Sequence, residues 1–149
     1  MPPTGWESGK RNFDLSGQLW AWSRQHRSGI AFDSSTGFKL PNGANRSPDA
    51  AWVENSRIEL LDPDPNKFLP LAPDFLIELR SSTDNLTTLQ RKMQEYRDNG
   101  VRLGWLINPR DQQVEIYRIN RVVEVLESPL TLSGEDVLTG FELDLTTIW

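Results

Sequence analysis

The segment Phe75-Leu76-Ile77-Glu78-Leu79 is apolar on both alternating faces except at one position, the pattern of a central strand covered on each side by other elements. Such a strand demands a sheet interior with two covering layers. A chain of 149 residues, 37% of them apolar, can supply these within one domain. The one carboxylate of the segment is then desolvated, and it needs a cation or hydrogen-bond partners to remain charged. By the period of two, Glu78 shares a face with Leu76 and Arg80, so Arg80 is one candidate partner. A Glu-Arg pair at a strand end is the plain structural explanation of this acid, and a chemical site is the other.

The surrounding pattern is mixed. From Ser8 to about His26, Leu15, Leu19 and Trp22 recur at helical spacing. Ile30 to Asp33 and Phe38 to Leu40 read as two short strands around the turn Ser34-Ser35-Thr36-Gly37, closed by a second turn at Pro41-Asn42-Gly43. Pro48 to Val53 is a short strand opened by a proline, which a strand's first position tolerates. Residues 54–73 are charged and proline-rich and read as a loop with room for one helical turn. After the Glu78 strand, Ser82, Thr83 or Asp84 caps a helix whose apolar positions Leu86, Leu89, Met93 and Tyr96 step by three, four and three, ending at Asn99-Gly100. Val101 to Ile107 is another strand, Gln112 to Ile119 its hairpin partner, and Val122 to Leu126 a further strand. The tail to Trp149 reads as short irregular strands and turns. The fold class is therefore α/β in the mixed α+β sense: one domain spanning residues 1–149, a mixed central sheet flanked by helices.

Composition removes several chemistries. The absence of cysteine excludes disulfide scaffolds, thiolate zinc sites and cysteine nucleophiles and fits a reducing, cytoplasmic setting. A single histidine, His26, leaves little support for a His-rich zinc site or a Ser-His-Asp triad. No apolar run approaches the roughly 20 residues a bilayer needs. The net charge of −5 counts against a nucleic-acid partner. The objection is partial, because phosphate contacts draw on local cations and hard-cation sites add acids of their own.

Against that background three positions stand out. Glu78 is the first. Asp49 follows Pro48 at the start of its strand and precedes Glu78 by 29 residues, enough for the chain to return to a neighbouring strand so that both acids share a cation; alone, a Pro-Asp pair is most often a turn. Lys92 falls at the edge of the Leu86-Leu89-Met93-Tyr96 stripe, where its stem can pack while its ammonium reaches the sheet; the plain alternative is a solvated helix lysine. Two acids that hold Mg²⁺ and a lysine that offsets charge or orients water are the parts phosphodiester hydrolysis requires.

At these residues the chain becomes recognisable. Met1-Pro-Pro-Thr-Gly5, Ser47-Pro-Asp-Ala-Ala-Trp52, Pro73-Asp-Phe-Leu-Ile-Glu-Leu-Arg-Ser81, Lys92-Met-Gln-Glu-Tyr96 and Gly100-Val-Arg-Leu-Gly-Trp-Leu-Ile-Asn-Pro109 closely resemble the Uma-two family of restriction-endonuclease-like proteins, over nearly the whole chain. That family is assigned to the PD-(D/E)XK nuclease superfamily, and the resemblance implies a restriction-endonuclease-like core. It also implies DNA as substrate and Mg²⁺, with Mn²⁺ as a substitute, as cofactor. Carried over by position, Pro48-Asp49 resembles the PD element and Glu78 the acid of (D/E)XK, making Asp49 and Glu78 the metal ligands. Arg80 stands where the superfamily has lysine; it keeps the charge but cannot act as a base. The resemblance makes Lys92 the migrated replacement, with Arg80 as a helper. Many superfamily members place an acid on the first helix, and Glu7 or Asp14 is the candidate here. Family members usually carry a further segment before Met-Pro-Pro-Thr-Gly, so the chain is expected to start late and lack an edge strand.

The expectation is an Mg²⁺-dependent DNA endonuclease, with a homodimer expected because many relatives cut both strands. Its rivals are a degenerate domain of the same fold, kept as a binding or oligomerisation module, and an interaction domain anchored on exposed Trp6, Trp20 or Trp149.

Overall fold

The computed structural model describes residues 3–149. In chain order they form α1 (Trp6–His26), β1 (Gly29–Asp33), β2 (Phe38–Lys39), β3 (Asn45–Arg46), β4 (Ala50–Glu54), α2 (Asn55–Leu61), β5 (Phe75–Leu79), α3 (Leu86–Asp98), β6 (Leu103–Asn108), β7 (Gln113–Arg118), β8 (Glu124–Glu127), β9 (Thr131–Ser133) and β10 (Glu142–Asp144). Six strands make one sheet in the order β1-β4-β5-β6-β7-β8. Only β5 and β6 run parallel; every other neighbouring pair is antiparallel. A parallel pair needs a crossover, and α3 supplies it. The mixed α+β architecture read from the sequence is the one observed.

Period-two alternation divides the core. Phe75, Ile77 and Leu79 of β5 join Trp105 and Ile107 of β6, Leu15, Leu19 and Trp22 of α1, and Phe141, Leu143 and Leu145 of the tail on one face. Leu76, Ala51, Val53 and Leu106 meet Leu89, Met93 and Tyr96 of α3 on the other. All five residues of β5 are buried, as a strand with apolar side chains on both faces requires.

Several local expectations need correction. Helix α1 opens two residues before Ser8, behind a Gly5 N-cap that contributes no side-chain hydrogen bond and so leaves no cap signal in the sequence. The charged stretch read as a loop contains α2, about two turns long, which buries none of its residues and shows no apolar stripe to betray it. Asn85, rather than Ser82, Thr83 or Asp84, caps α3 by accepting from the Thr88 N–H at 3.1 Å. Strand β2 pairs with β3, whereas β1 pairs with β4; the Asp33 carboxylate accepts from the Ser35 N–H and turns the chain out of the sheet instead of closing a hairpin. Of the three rings singled out as anchors, Trp6 and Trp20 are 77% and 55% exposed. Trp149 is half-buried, packs against the core and donates its indole N–H to the Pro129 carbonyl.

Candidate active site

Strand β4 meets β5 with Ala50 opposite Ile77 and Ala51 opposite Leu76. Extending this register by one residue sets Asp49 opposite Glu78 on the α3 side of the sheet. The ladder does continue there: the Asp49 N–H donates to the Ile77 carbonyl at 3.1 Å, and the Asp49 Oδ2 accepts from the Leu79 N–H at 2.7 Å. One carboxylate oxygen of Asp49 is thus held in the backbone ladder. Pro48, which has no N–H to offer, stands just outside the paired segment.

The second half of the site comes from α3. Lys92 lies beside Met93 on the edge of the buried stripe Leu89-Met93-Tyr96, and its Nζ reaches Glu78 Oε2 at 3.4 Å. The Tyr96 hydroxyl donates to Glu78 Oε1, also at 3.4 Å. Gly104, on β6 beneath the helix, permits this approach: a Cβ there would come within 2.9 Å of the Met93 methyl. Lys92 is one-third exposed while Glu78 is nearly sealed, so the pair bridges core and solvent.

Electrostatically this is a strained pair of acids. Burial, then the Asp49 charge, push the Glu78 carboxyl up to about 7, against the opposing pull of Lys92 and Tyr96. Burial raises Asp49 too, opposed by the Leu79 N–H and by Lys92. Tyr96 is held above its ordinary range by burial and by the Glu78 charge, so it is a hydrogen-bond donor here.

Other sequence candidates lie elsewhere. Arg80 does not pair with Glu78: its Nη1 sits 3.3 Å from Asp111 Oδ2 and its Nε reaches the Asp84 carbonyl at 3.4 Å. Alternation fixes where its Cβ points, but the long side chain follows the acid in the β6–β7 turn. Glu7 is exposed and pairs with Arg11 on its own helix; Asp14 accepts from Gln18 and Thr147. Neither makes a contact with Asp49 or Glu78. Sequence reasoning counted Tyr96 only as an apolar helix position and passed over Glu115. That buried acid lies two strands across in the same row, because Glu78 is in register with Leu106 and Leu106 with Glu115. Glu115 is satisfied by Gln90 and by Tyr117, each at 2.8 Å. Its signal was available, a lone acid between Val114 and Ile116 in a strand pattern.

The donor set suits a hard dication. Two carboxylates on one sheet face raise each other's proton affinity, and a divalent cation relieves that repulsion. Among the described residues no group of three or more His, Cys, Asp or Glu side chains is gathered for a metal. Mg²⁺, however, needs only one or two carboxylates and completes its shell with water and phosphate.

A family profile described as "Uma2: Putative restriction endonuclease" matches residues 1–146. The chain belongs to the Uma2 family. Among solved structures, the Uma2 chain is similar to one titled as a "putative nuclease belonging to DUF820" from Anabaena variabilis ATCC 29413, with a TM-score of 0.81 and 21% identity over 99% of this chain and 82% of that one. At that identity the likeness establishes the fold. Among curated proteins none matches the chain. No helix of the described residues is long and apolar enough to cross a membrane.

Proposed function

We propose that this Uma2 protein is a Mg²⁺-dependent endonuclease that hydrolyses DNA phosphodiester bonds, with Mn²⁺ able to substitute. The observation that carries the reading is Asp49 opposite Glu78 on one sheet face, with the Lys92 ammonium on the Glu78 carboxylate. The family description supports the reaction class.

Asp49 and Glu78 are the residues that would hold the cation, which would compete with Lys92 and Tyr96 for the Glu78 carboxylate. When bound, Mg²⁺ lowers the pKa of a coordinated water and neutralises charge developing on the phosphate. Lys92 favours the ionised form of Glu78 and, being partly exposed, orients the attacking water or stabilises the pentavalent phosphate. Tyr96 fixes the rotamer of Glu78 from the buried side. Arg80, tied to Asp111, contributes positive potential at the strand end rather than a proton.

The test is cleavage of plasmid and single-stranded DNA with Mg²⁺ or Mn²⁺ at low salt, comparing wild type with Asp49→Ala, Glu78→Ala and Lys92→Ala. Each variant is expected to lose at least about 100-fold in rate while keeping its circular dichroism, in line with removal of a group that stabilises developing charge. Cleavage retained by Asp49→Ala or Glu78→Ala would sink the assignment. The engagement of Arg80 by Asp111 favours one other reading, a degenerate domain kept for binding. That reading requires folded wild-type protein to bind no Mg²⁺ in a titration dependent on Asp49 and Glu78.

A further inference from the structure

A cleft of about 660 Å³ opens where the first turn of α1 meets the segments that follow β5 and β6; its walls include Trp6, Arg11, Arg80, Ser81, Ser82 and Arg110. Arg80 stands two residues beyond Glu78, and β6, paired in parallel with β5, delivers Arg110 to the same edge of the sheet. The cleft therefore lies at the end of β5 where Glu78 stands, on the side lined by α1. Trp6 leaves 77% of its surface exposed at the mouth, where an indole gains nothing from the core. Arg110 is exposed and forms no ion pair among the described residues. Arg11 belongs to the wall, its Nε donating to the Ile148 carbonyl at 2.7 Å and its Nη1 offsetting Glu7 at 3.6 Å.

We propose that this cleft is a subsite for an unpaired nucleotide of single-stranded DNA beside the bond to be cut, with Trp6 stacking on the base and Arg110 meeting the adjoining phosphate. The inference rests on the nuclease reading above. An exposed aromatic face set among guanidinium groups is the combination that grips single strands, because every base has a π-face and every linkage a charge. In a duplex those faces are covered by neighbouring bases. A long duplex would instead need a track of free cations to release many counterions. This chain carries a net charge of −5, and Arg46, Arg57, Arg80, Arg102 and Arg118 are already paired with acids. One exposed aromatic ring and one unpaired arginine match a short, unpaired segment.

Binding can be separated from cutting by working in EDTA. The probe is a fluorescently labelled twelve-nucleotide oligothymidylate, followed by anisotropy, with a duplex of the same length as competitor. Trp6→Ala is expected to weaken single-strand binding on the order of tenfold, and Trp6→Phe to recover most of it. Arg110→Gln is expected to flatten the salt dependence by roughly one phosphate contact, a slope change of about 0.7, and Arg110→Lys to restore the slope. Binding of Trp6→Ala equal to wild type, wild type that fails to bind the oligonucleotide, or duplex bound as tightly as single strand would each overturn the subsite. Trp6-dependent binding by a protein that never cleaves would leave the subsite standing and remove the nuclease reading. Cleavage of single strands with unchanged kcat/KM in Trp6→Ala would do the reverse.

Discussion

Two buried carboxylates lie toward opposite ends of β5, and they are opposites in chemistry. Asp74, just before the strand, accepts from the Glu54 N–H at 2.9 Å and faces Arg57 at 3.1 Å and Arg102 at 3.6 Å. Glu78, four residues on, has only the 3.4 Å contacts to Lys92 and Tyr96, with another carboxylate opposite. Asp74 is a satisfied structural acid; Glu78 is held by longer contacts beside a second carboxylate. Asp74→Asn should therefore cost about 2 kcal/mol, the scale of lost charged hydrogen bonds, and leave cleavage unchanged, as urea melts and a plasmid assay will show. Glu78→Gln should abolish cleavage yet stabilise the metal-free protein at pH 8, because a buried charge has been removed. The sign follows from linkage. The Glu78 carboxyl is raised from its ordinary 4.5 to about 7, so its contribution is fully present below pH 4.5 and lost as pH rises through 7, roughly 3 kcal/mol in all. Metal-free wild type should lose stability across that window while Glu78→Gln shows a flatter profile; parallel profiles would contradict the burial of this charge.

At the scale of elements, the site depends on how closely α3 rides on the sheet. The helix starts at the Asn85 cap, and its last buried contact is Tyr96, so Lys92 and Tyr96 move with it as one body. Asn85→Ala should lower stability by about 1 kcal/mol, the usual worth of an N-cap, with little effect on the site, since the cap lies a turn or more from Lys92. Gly104 is the more sensitive point. A methyl there would crowd only the flexible end of Met93, so Gly104→Ala should fold and cleave nearly as wild type. Gly104→Leu should push α3 outward and reduce cleavage by more than its loss of stability explains, to be checked by comparing activity and thermal melts at a temperature where both proteins are folded. Element boundaries were less legible than elements. The cap of α3 falls one to three residues beyond the expected positions because Ser82, Thr83, Asp84 and Asn85 all carry capping side chains; Asp84 instead folds back onto the Ser81 N–H at 2.9 Å.

At the scale of the whole molecule, the sheet carries a structural ion-pair network at one end of β5 and the acid pair at the other, about 13 Å apart at the rise of an extended chain. Ligation at one end should not disturb the other. Millimolar Mg²⁺ is expected to raise the Tm of wild type and of Asp74→Asn, but not of Glu78→Gln, because only a cation bound to the native state shifts the folding equilibrium. The sequence by itself determined that a buried strand would cross the middle of the molecule, since only a covered strand tolerates Phe75, Leu76, Ile77 and Leu79 on both faces, and that Glu78 within it would be chemically exceptional. It determined the edge position of Lys92, which follows from helical geometry alone. Tyr96 stayed hidden because a tyrosine in an apolar stripe reads as packing until its hydroxyl has a partner. The direction of Arg80 was decided by Asp111, 31 residues away in a turn that no local pattern links to it. Tertiary structure alone set Asp49 across from Glu78, because strand register is a long-range choice: a slip of one residue between β4 and β5 would turn the two carboxylates to opposite faces and leave nothing for a cation to join.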